Sequence, residues 1–296
     1  MRGAKPGSAL EQTIERDGIV RRGDCTVVAC SGGADSVALA AALAAVRAPM
    51  MLDLTLAYVH HGTRDSAWQD ECVVLRVGAS LGLPVRIAQI DGTACSESRL
   101  RDARYACLAQ IAQDRGAAAV ATAHHSEDQS ETVLLALLRG AGTGGIGGMR
   151  ARRPLAAGID LIRPLLRVAP EDLRDYCHGH ALPYAVDPSN ADIDIRRNAV
   201  RSALAALRTL FPGLDEAVAR TAEIVTQERS QTGRAQLRRH VRETLKQTEG
   251  LQDLDFHHVE AAVRALENGT SGRFHMKPGV VLHIESGTIQ SCTASQ

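Results

Sequence analysis

The sequence predicts an α/β protein in which a domain with a parallel β-sheet is followed by a small α+β domain. Short apolar strands alternate with helices of roughly 10–18 residues through the first half of the chain, which is the pattern of βαβ units. A Gly-rich segment at 140–149 ends this alternation, and Phe211-Pro212-Gly213 precedes long polar helical sequence. We therefore expect two domains, at 1–212 and 213–296, with the parallel sheet in the first.

The individual elements follow from apolar periodicity and from the turn residues between them. Strands are expected at 26–30, 52–60, 85–90 and 117–125, and the helices that follow them at 37–46, 68–81, 97–114 and 128–139. The rest of the first domain contains the segment IDLIRPLL at 159–166 and is expected to hold helices near 170–180 and at 196–207. The second domain is expected to hold a long polar helix at 214–246, a shorter helix near 255–267 and a β-hairpin at 273–290.

The composition excludes several classes of protein. The chain has 296 residues, of which 45% are hydrophobic, and its 34 basic and 34 acidic residues cancel, so no global basic field exists. None of the three lysines follows a glycine, which excludes the P-loop GxxxxGK[ST]. The seven cysteines form no CxxC pair, and no apolar run reaches the ~18 residues of a membrane span. We expect a cytoplasmic protein that is not bound to a membrane, and the sequence leaves a homodimer open.

The segment Ser31-Gly32-Gly33-Ala34-Asp35-Ser36 lies between the first strand and the first helix. Its glycines permit positive φ and a close approach of the backbone to a ligand, and helix N-terminal N–H groups bind anions. The two serines add hydroxyl groups, and an acid inside a phosphate site is suited to holding Mg²⁺. The alternative is a glycine turn with a helix cap.

Acidic and histidine side chains gather after the fourth strand. Asp128 and Glu131 are three residues apart at the start of a helix and share a face, where they could bind a cation or cap the helix. His124 and His125 precede them and could line a site or serve the core. A metal site that joins them to the histidines at 60 and 61 is a further alternative, although adjacent histidines on a strand point opposite ways.

Arginines supply the candidate anion contacts. Arg101 and Arg104 are three residues apart on one helix and could face one anion or form surface ion pairs. Segment 139–211 carries 11 basic and 7 acidic residues, a net charge of +4, and is the candidate polyanion surface. Within it, Arg197 and Arg201 share a helix face and could follow an RNA backbone.

Several of these segments together carry a family resemblance. SGGADS resembles the PP-loop of the ATP pyrophosphatases, and five further segments, in the same order, resemble the tRNA(Ile)-lysidine synthases. These segments are Val59-His60-His61-Gly62-Thr63-Arg64; Glu97-x₃-Arg101-x₂-Arg104-Tyr105; Thr122-Ala123-His124-His125-x₂-Asp128-Gln129-x-Glu131-Thr132; Arg139 to Met149 with Arg163-Pro164-Leu165-Leu166; and Asp187-Pro188-Ser189-Asn190-x-Asp192-x₄-Arg197-Asn198-x₂-Arg201.

The resemblance implies a PP-loop catalytic domain of the adenine nucleotide hydrolase-like class at 1–212, and a C-terminal domain that contacts tRNA. It implies that ATP adenylates the wobble cytidine of tRNA(Ile) with a CAU anticodon, and that L-lysine then displaces AMP to give lysidine. ATP would bind at Ser31, Gly32, Gly33, Ala34, Asp35, Ser36 and Arg104, and Asp35 would also hold Mg²⁺. Lysine would bind at Asp128 and Glu131, tRNA would bind at Arg197 and Arg201, and the catalytic residues would be Asp35, Asp128 and Glu131.

Three other functions compete with this interpretation. A PP-loop enzyme that inserts sulfur into tRNA would need a CxxC pair, which is absent. A ligase that adenylates a small carboxylate would not need the arginine-rich segment. A non-catalytic tRNA-binding module would not need the intact loop at 31–36 or the Asp128/Glu131 pair.

Overall fold

The computed structural model describes residues 8–60, 67–90, 97–141, 145–185, 195–229, 233–248, 256–277 and 279–294. The chain separates into two compact units, Met1–Arg220 and Thr221–Gln296. The boundary lies inside a helix, a few residues beyond the expected division at 212. The roles expected of the two domains stay predictions.

The first unit is an α/β layer structure whose strands and helices alternate. Its elements are α1 (Ala9–Arg16), β1 (Cys25–Ala29), α2 (Ala34–Met50), β2 (Asp53–His60), α3 (Ala67–Leu81), β3 (Val85–Gln89), α4 (Glu97–Arg115), β4 (Ala119–Ala121), α5 (Ser126–Leu138), β5 (Arg152–Ala156), β6 (Ile159–Ile162), α6 (Pro170–Gly179) and α7 (Ile195–Leu210). Helix α8 (Leu214–Arg229) crosses the unit boundary.

Six strands form one sheet in the order β3-β2-β1-β4-β6-β5. All neighbouring strands are parallel except β5, which runs antiparallel to β6. The predicted α/β class with a parallel sheet is therefore confirmed, with an antiparallel edge strand that the sequence did not indicate. The carboxyl ends of β1, β4 and β6 meet at one edge, where ligands of such sheets bind.

Apolar layers cover both faces of the sheet. Most of helix α2 is buried, and its run of alanines lets its backbone approach the strands closely. On the opposite face, α4 contributes Leu108 and Ala112 to a second apolar cluster with Val27 and Val120. Strands buried on both faces are apolar throughout, which explains the continuous runs in the sequence. No helix in the described part of the chain is both long enough and apolar enough to span a membrane.

The second unit is α+β, as predicted, but it differs from the expectation in two details. It contains α9 (Gly233–Thr248), α10 (Phe256–Glu267), β7 (Gly272–Lys277), β8 (Val280–Glu285) and β9 (Thr288–Ala294). The sheet is a three-stranded antiparallel meander, since β9 adds to the predicted hairpin. The long helix expected at 214–246 is two helices, and the second of them begins at Gly233, a poor helix former. A buried Arg238–Glu260 ion pair lies in this unit.

Candidate active site

The loop between β1 and α2 is shaped by its glycines and by one serine. Gly32 has φ +90°, and a Cβ placed there would lie 3.1 Å from the carbonyl oxygen of Asp70, so only glycine fits. The Ser36 hydroxyl accepts a hydrogen bond from the N–H of Ser31 at 3.1 Å and donates to the carbonyl of Gly33 at 2.9 Å. Gly33 is the cap residue of α2 and has no side chain to offer, so the first-turn N–H groups face the loop without a capping side chain. This is the backbone arrangement that binds anions.

Asp35, His125 and Asp128 form a cluster beside this loop. His125 Nε2 lies 3.8 Å from Asp35 Oδ2 and 3.5 Å from Asp128 Oδ2, so one imidazole bridges the carboxylates of two helices. Burial raises the pKa of Asp35; His125 opposes this shift and Asp128 adds to it. The buried Nδ1 of His125 has no hydrogen-bond partner in the described part of the chain. The cluster therefore brings Asp35 and Asp128, two separate candidates from the sequence, close to one another with His125 between them.

The two acids of α5 have different surroundings. Asp128 Oδ2 accepts a hydrogen bond from the N–H of His125 at 3.1 Å, so this carboxylate also caps its own helix. Glu131 is 4% exposed, and its Oε1 accepts a hydrogen bond from Arg201 Nε at 2.5 Å. Glu131, which was expected to bind lysine, thus forms an ion pair with Arg201, which was expected to bind tRNA.

Helix α7 is held against α5 by a second charged group. Arg208 binds Asp215 through Nε at 2.7 Å and Nη2 at 3.0 Å, and its Nε also lies 3.5 Å from Glu127. Asp215 also accepts a hydrogen bond from Ser130 at 2.5 Å. These contacts fix the face of α5 that carries the acids.

His124 follows β4 and is a neutral, buried imidazole. Its Nδ1 lies 2.9 Å from Thr122 Oγ1. Burial lowers the pKa of His124 to about 3, and the nearby cations Arg163, Arg104 and Arg101 add to this effect. Near neutral pH this imidazole is therefore uncharged, so it can act as a hydrogen-bonding group but adds no positive charge there.

Arginines from helix α4 and strand β5 converge on the ring of Tyr105. The guanidinium carbons of Arg101, Arg104 and Arg153 lie 5.7, 5.5 and 5.4 Å from the ring centroid. Arg163, which directly follows β6, is only 2% exposed, and its Nη1 donates to the carbonyl of Arg150 at 2.7 Å. Arg101 and Arg104 were expected from the sequence to face an anion together. The sequence did not indicate that Arg153 and Arg163 lie beside Arg101 and Arg104, because only the fold brings these segments together.

A glutamine fixes the end of the Gly-rich segment. Gln129 donates to the carbonyl of Met149 at 3.1 Å and accepts from its N–H at 2.8 Å. Gly148 has φ +60°, and a Cβ there would lie 2.8 Å from the Gln129 amide. The segment therefore needs glycine at this position for both conformation and space.

Parts of the sequence prediction fall outside the described residues. They are His61 to Arg64, the segment 186–194 and the side chain of Arg197. Within the described ranges, no group of three or more His, Cys, Asp or Glu side chains is arranged to hold a metal ion, so the histidine metal site finds no support there.

Comparison with known proteins decides the family. Residues 7–207 match the model of the PP-loop domain. A tRNA(Ile)-lysidine synthase of Salinispora tropica is 41% identical over 75% of this chain and 68% of its own length. The chain belongs to the tRNA(Ile)-lysidine synthase family. Similar relatives bear the same name in Ralstonia nicotianae, at 40% identity over 66% of this chain, and in Geobacter sulfurreducens, at 34% identity over 90%.

The members of the tRNA(Ile)-lysidine synthase family differ in length. The aligned part spans 43% of the Ralstonia relative and 64% of the Geobacter relative. Among solved structures, a U34-tRNA thiolase from Methanococcus maripaludis with a [4Fe-4S] cluster superposes with a TM-score of 0.62 over 72% of this chain and 77% of its own. Its 16% identity supports a common fold alone.

Proposed function

We propose that this protein ligates L-lysine to C2 of the wobble cytidine of tRNA(Ile) with a CAU anticodon, forming lysidine, AMP and pyrophosphate. Membership of the tRNA(Ile)-lysidine synthase family is the observation that carries this proposal. In the first step the C2 oxygen of the cytidine attacks the α-phosphorus of ATP, and pyrophosphate leaves. In the second step the ε-amine of lysine attacks C2, and AMP leaves with the oxygen.

The loop at 31–36 supports the adenylation step. Its glycine backbone and the uncapped first turn of α2 would hold the phosphates of ATP, and Arg104 would add a positive charge. The half-exposed Asp35 carboxylate at the end of this loop is the one that would hold Mg²⁺. One or two carboxylates together with substrate phosphates are the usual ligands of Mg²⁺, so the residues present fit this ion. The ion would neutralise charge on the departing pyrophosphate.

The acids of α5 support lysine binding. Asp128 and Glu131 are on one helix face, and a lysine ammonium would be attracted by both carboxylates. The amine must lose a proton before it attacks C2, and Asp128 or His125 stands where that proton could be accepted. Because Arg201 already pairs with Glu131, the ammonium would compete with this guanidinium for the carboxylate.

Arginines of α7 and the second unit are the candidates for tRNA contact. Arg201 has a 42% exposed side chain, so it can reach a phosphate while it stays near Glu131. Arg197 remains a candidate from its sequence spacing alone. A homodimer and a cytoplasmic location stay predictions.

The decisive experiment measures pyrophosphate and AMP release with and without a tRNA(Ile) transcript that carries CAU. Pyrophosphate release that requires this tRNA, and lysine incorporation that requires lysine and ATP, are the expected results. ADP as the product, or equal turnover on a tRNA(Met) transcript, would contradict the proposal. A small-molecule ligase would release pyrophosphate without any tRNA.

The assignment of the lysine site is tested by Asp128→Asn. Loss of a charge-assisted hydrogen bond costs roughly 1.5–3 kcal/mol, so the apparent KM for lysine should rise about 10–150-fold. The KM for ATP should change little. The matched control is Asp114→Asn on α4, whose carboxylate accepts a hydrogen bond from Gln110 on the same exposed helix face. Equal lysine KM values in the two variants would remove Asp128 from the lysine site.

A further inference from the structure

The arginines around Tyr105 form a group of positive charges that no carboxylate among the described residues neutralises by an ion pair. Arg163 is only 2% exposed. Burying a cation without an opposite charge is costly. In the described ranges, no carboxylate forms an ion pair with this side chain or with Arg101, Arg104 or Arg153. An anion bound from outside would offset this cost.

The directions of the pKa shifts of Arg163 and Tyr105 indicate a strong positive potential in the cluster. Burial lowers the pKa of Arg163, and Arg153 and Arg101 add to the shift by repulsion, while Tyr105 opposes it. Burial raises the pKa of Tyr105, but Arg101, Arg104 and Arg163 more than reverse this effect and lower it. Cations thus dominate around the phenol.

Hydrogen-bonding capacity in the cluster is also unused. The buried Nε atoms of Arg104 and Arg163 have no hydrogen-bond partner in the described part of the chain. Buried polar atoms of this kind are normally satisfied, and arginine N–H groups match the oxygens of phosphate well. The location is consistent with this ligand, because Arg163 follows β6 at the same sheet edge as the loop at 31–36.

We propose that Arg153 and Arg163 complete, with Arg101 and Arg104, a phosphate-binding cluster that the ring of Tyr105 organises. The inference rests on the proposed function for the identity of its ligand, which is a phosphate group of either the RNA backbone or ATP. Tyr105 is a positioning residue: its face attracts three guanidinium groups from α4 and β5 and keeps them at one surface. Arg153 is the new contact residue that strand β5 supplies.

The first test compares Arg153→Gln with Arg86→Gln. Arg86 is an exposed arginine on β3, the opposite edge strand of the same sheet, and serves as the matched control. Binding of a CAU-bearing tRNA(Ile) transcript is measured across a salt series, and binding of ATP and inorganic pyrophosphate is measured separately. If the phosphate is RNA, Arg153→Gln should weaken tRNA binding about 5–10-fold and flatten the log K versus log[salt] slope by roughly 0.7–0.9. If it belongs to the nucleotide, ATP and pyrophosphate should weaken instead. Unchanged binding of all three ligands would overturn the proposal.

The second test separates positioning from folding. Tyr105→Phe keeps the aromatic face and should retain wild-type phosphate binding, whereas Tyr105→Leu should reproduce the loss seen in Arg153→Gln. Wild-type binding by both variants would overturn the role of Tyr105, and if the leucine variant does not fold, the Arg153 comparison decides the cluster on its own. These binding measurements need no turnover. A protein that binds phosphate at the cluster but makes no lysidine would refute the proposed function and leave this inference standing.

Discussion

His124 should make the first unit sensitive to acid, and the size of the effect follows from its surroundings. Its folded pKa is about 3, against 6.5 for an ordinary histidine, because it is buried near Arg163, Arg104 and Arg101. As the pH falls below 6.5, the unfolded chain takes up a proton that the folded chain does not, so stability is lost progressively toward the folded pKa. At pH 5 the solution is 1.5 pH units below the ordinary pKa of 6.5. At about 1.36 kcal/mol per unit, the free energy of unfolding falls by about 2 kcal/mol. The cost does not depend on the exact folded value as long as it stays well below 5.

The prediction is tested by urea unfolding of the wild type and of His124→Gln at pH 8 and pH 5. Trp68 is the only tryptophan in the chain and lies in the first unit, so its fluorescence reports on the unit that contains His124. Between the two pH values the variant should lose about 2 kcal/mol less stability than the wild type, because glutamine does not titrate. His240→Gln, an exposed histidine of the second unit, is the control and should follow the wild type. Parallel losses in His124→Gln and the wild type would refute the reasoning, since His124 would then protonate freely in the folded state.

Two other substitutions test the loops of the site. Gly148→Ala places a Cβ within 2.8 Å of the Gln129 amide at φ +60°, so this substitution should lower the free energy of unfolding by at least about 1–2 kcal/mol and slow turnover. Thermal unfolding and pyrophosphate release measure the two effects, and an unchanged melting temperature would contradict the prediction. Asp35→Asn should abolish ATP-dependent turnover yet stabilise the fold at pH 8. Because the folded pKa of Asp35 is raised, its ionised form is penalised above that pKa and the penalty is absent below about 3.8, so the gain in unfolding midpoint should shrink toward pH 4. A gain of equal size at both pH values would exclude this cause.

The sequence predicted elements whose signal is local. The loop at 31–36 and α2 could be located because a buried strand, a glycine turn and an apolar helix follow each other without interruption. Strand β5 was missed, since Arg152-Arg153-Pro154 is a poor strand sequence and its conformation comes from antiparallel pairing with β6. Pairing of this kind depends on tertiary structure and leaves no periodicity in five residues.

The candidate site could be predicted only in part for the same reason. Asp35 and Asp128 were identified as separate candidates, and the fold adds His125 as the bridge between them. The Glu131–Arg201 pair joins residues 70 positions apart, and neither its existence nor the competition it implies for lysine could be read from spacing. The cluster around Tyr105 likewise depends on β5 and β6 being neighbours at the sheet edge.

The two groups of charges at the carboxyl edge match the two kinds of substrate that the proposed reaction brings together. Acids on α2 and α5 would attract the ammonium of lysine, whereas arginines on α4 and β5 would attract phosphates. If both charges were mixed in one pocket, they would neutralise each other and bind neither substrate well. His124 lies in the chain between β4 and α5. Burial and the nearby arginines lower its pKa, so the imidazole stays neutral near neutral pH. A neutral imidazole near the arginines adds no further positive charge to the arginine side, so an acidic group and a basic group with opposite potentials can share one edge of the sheet.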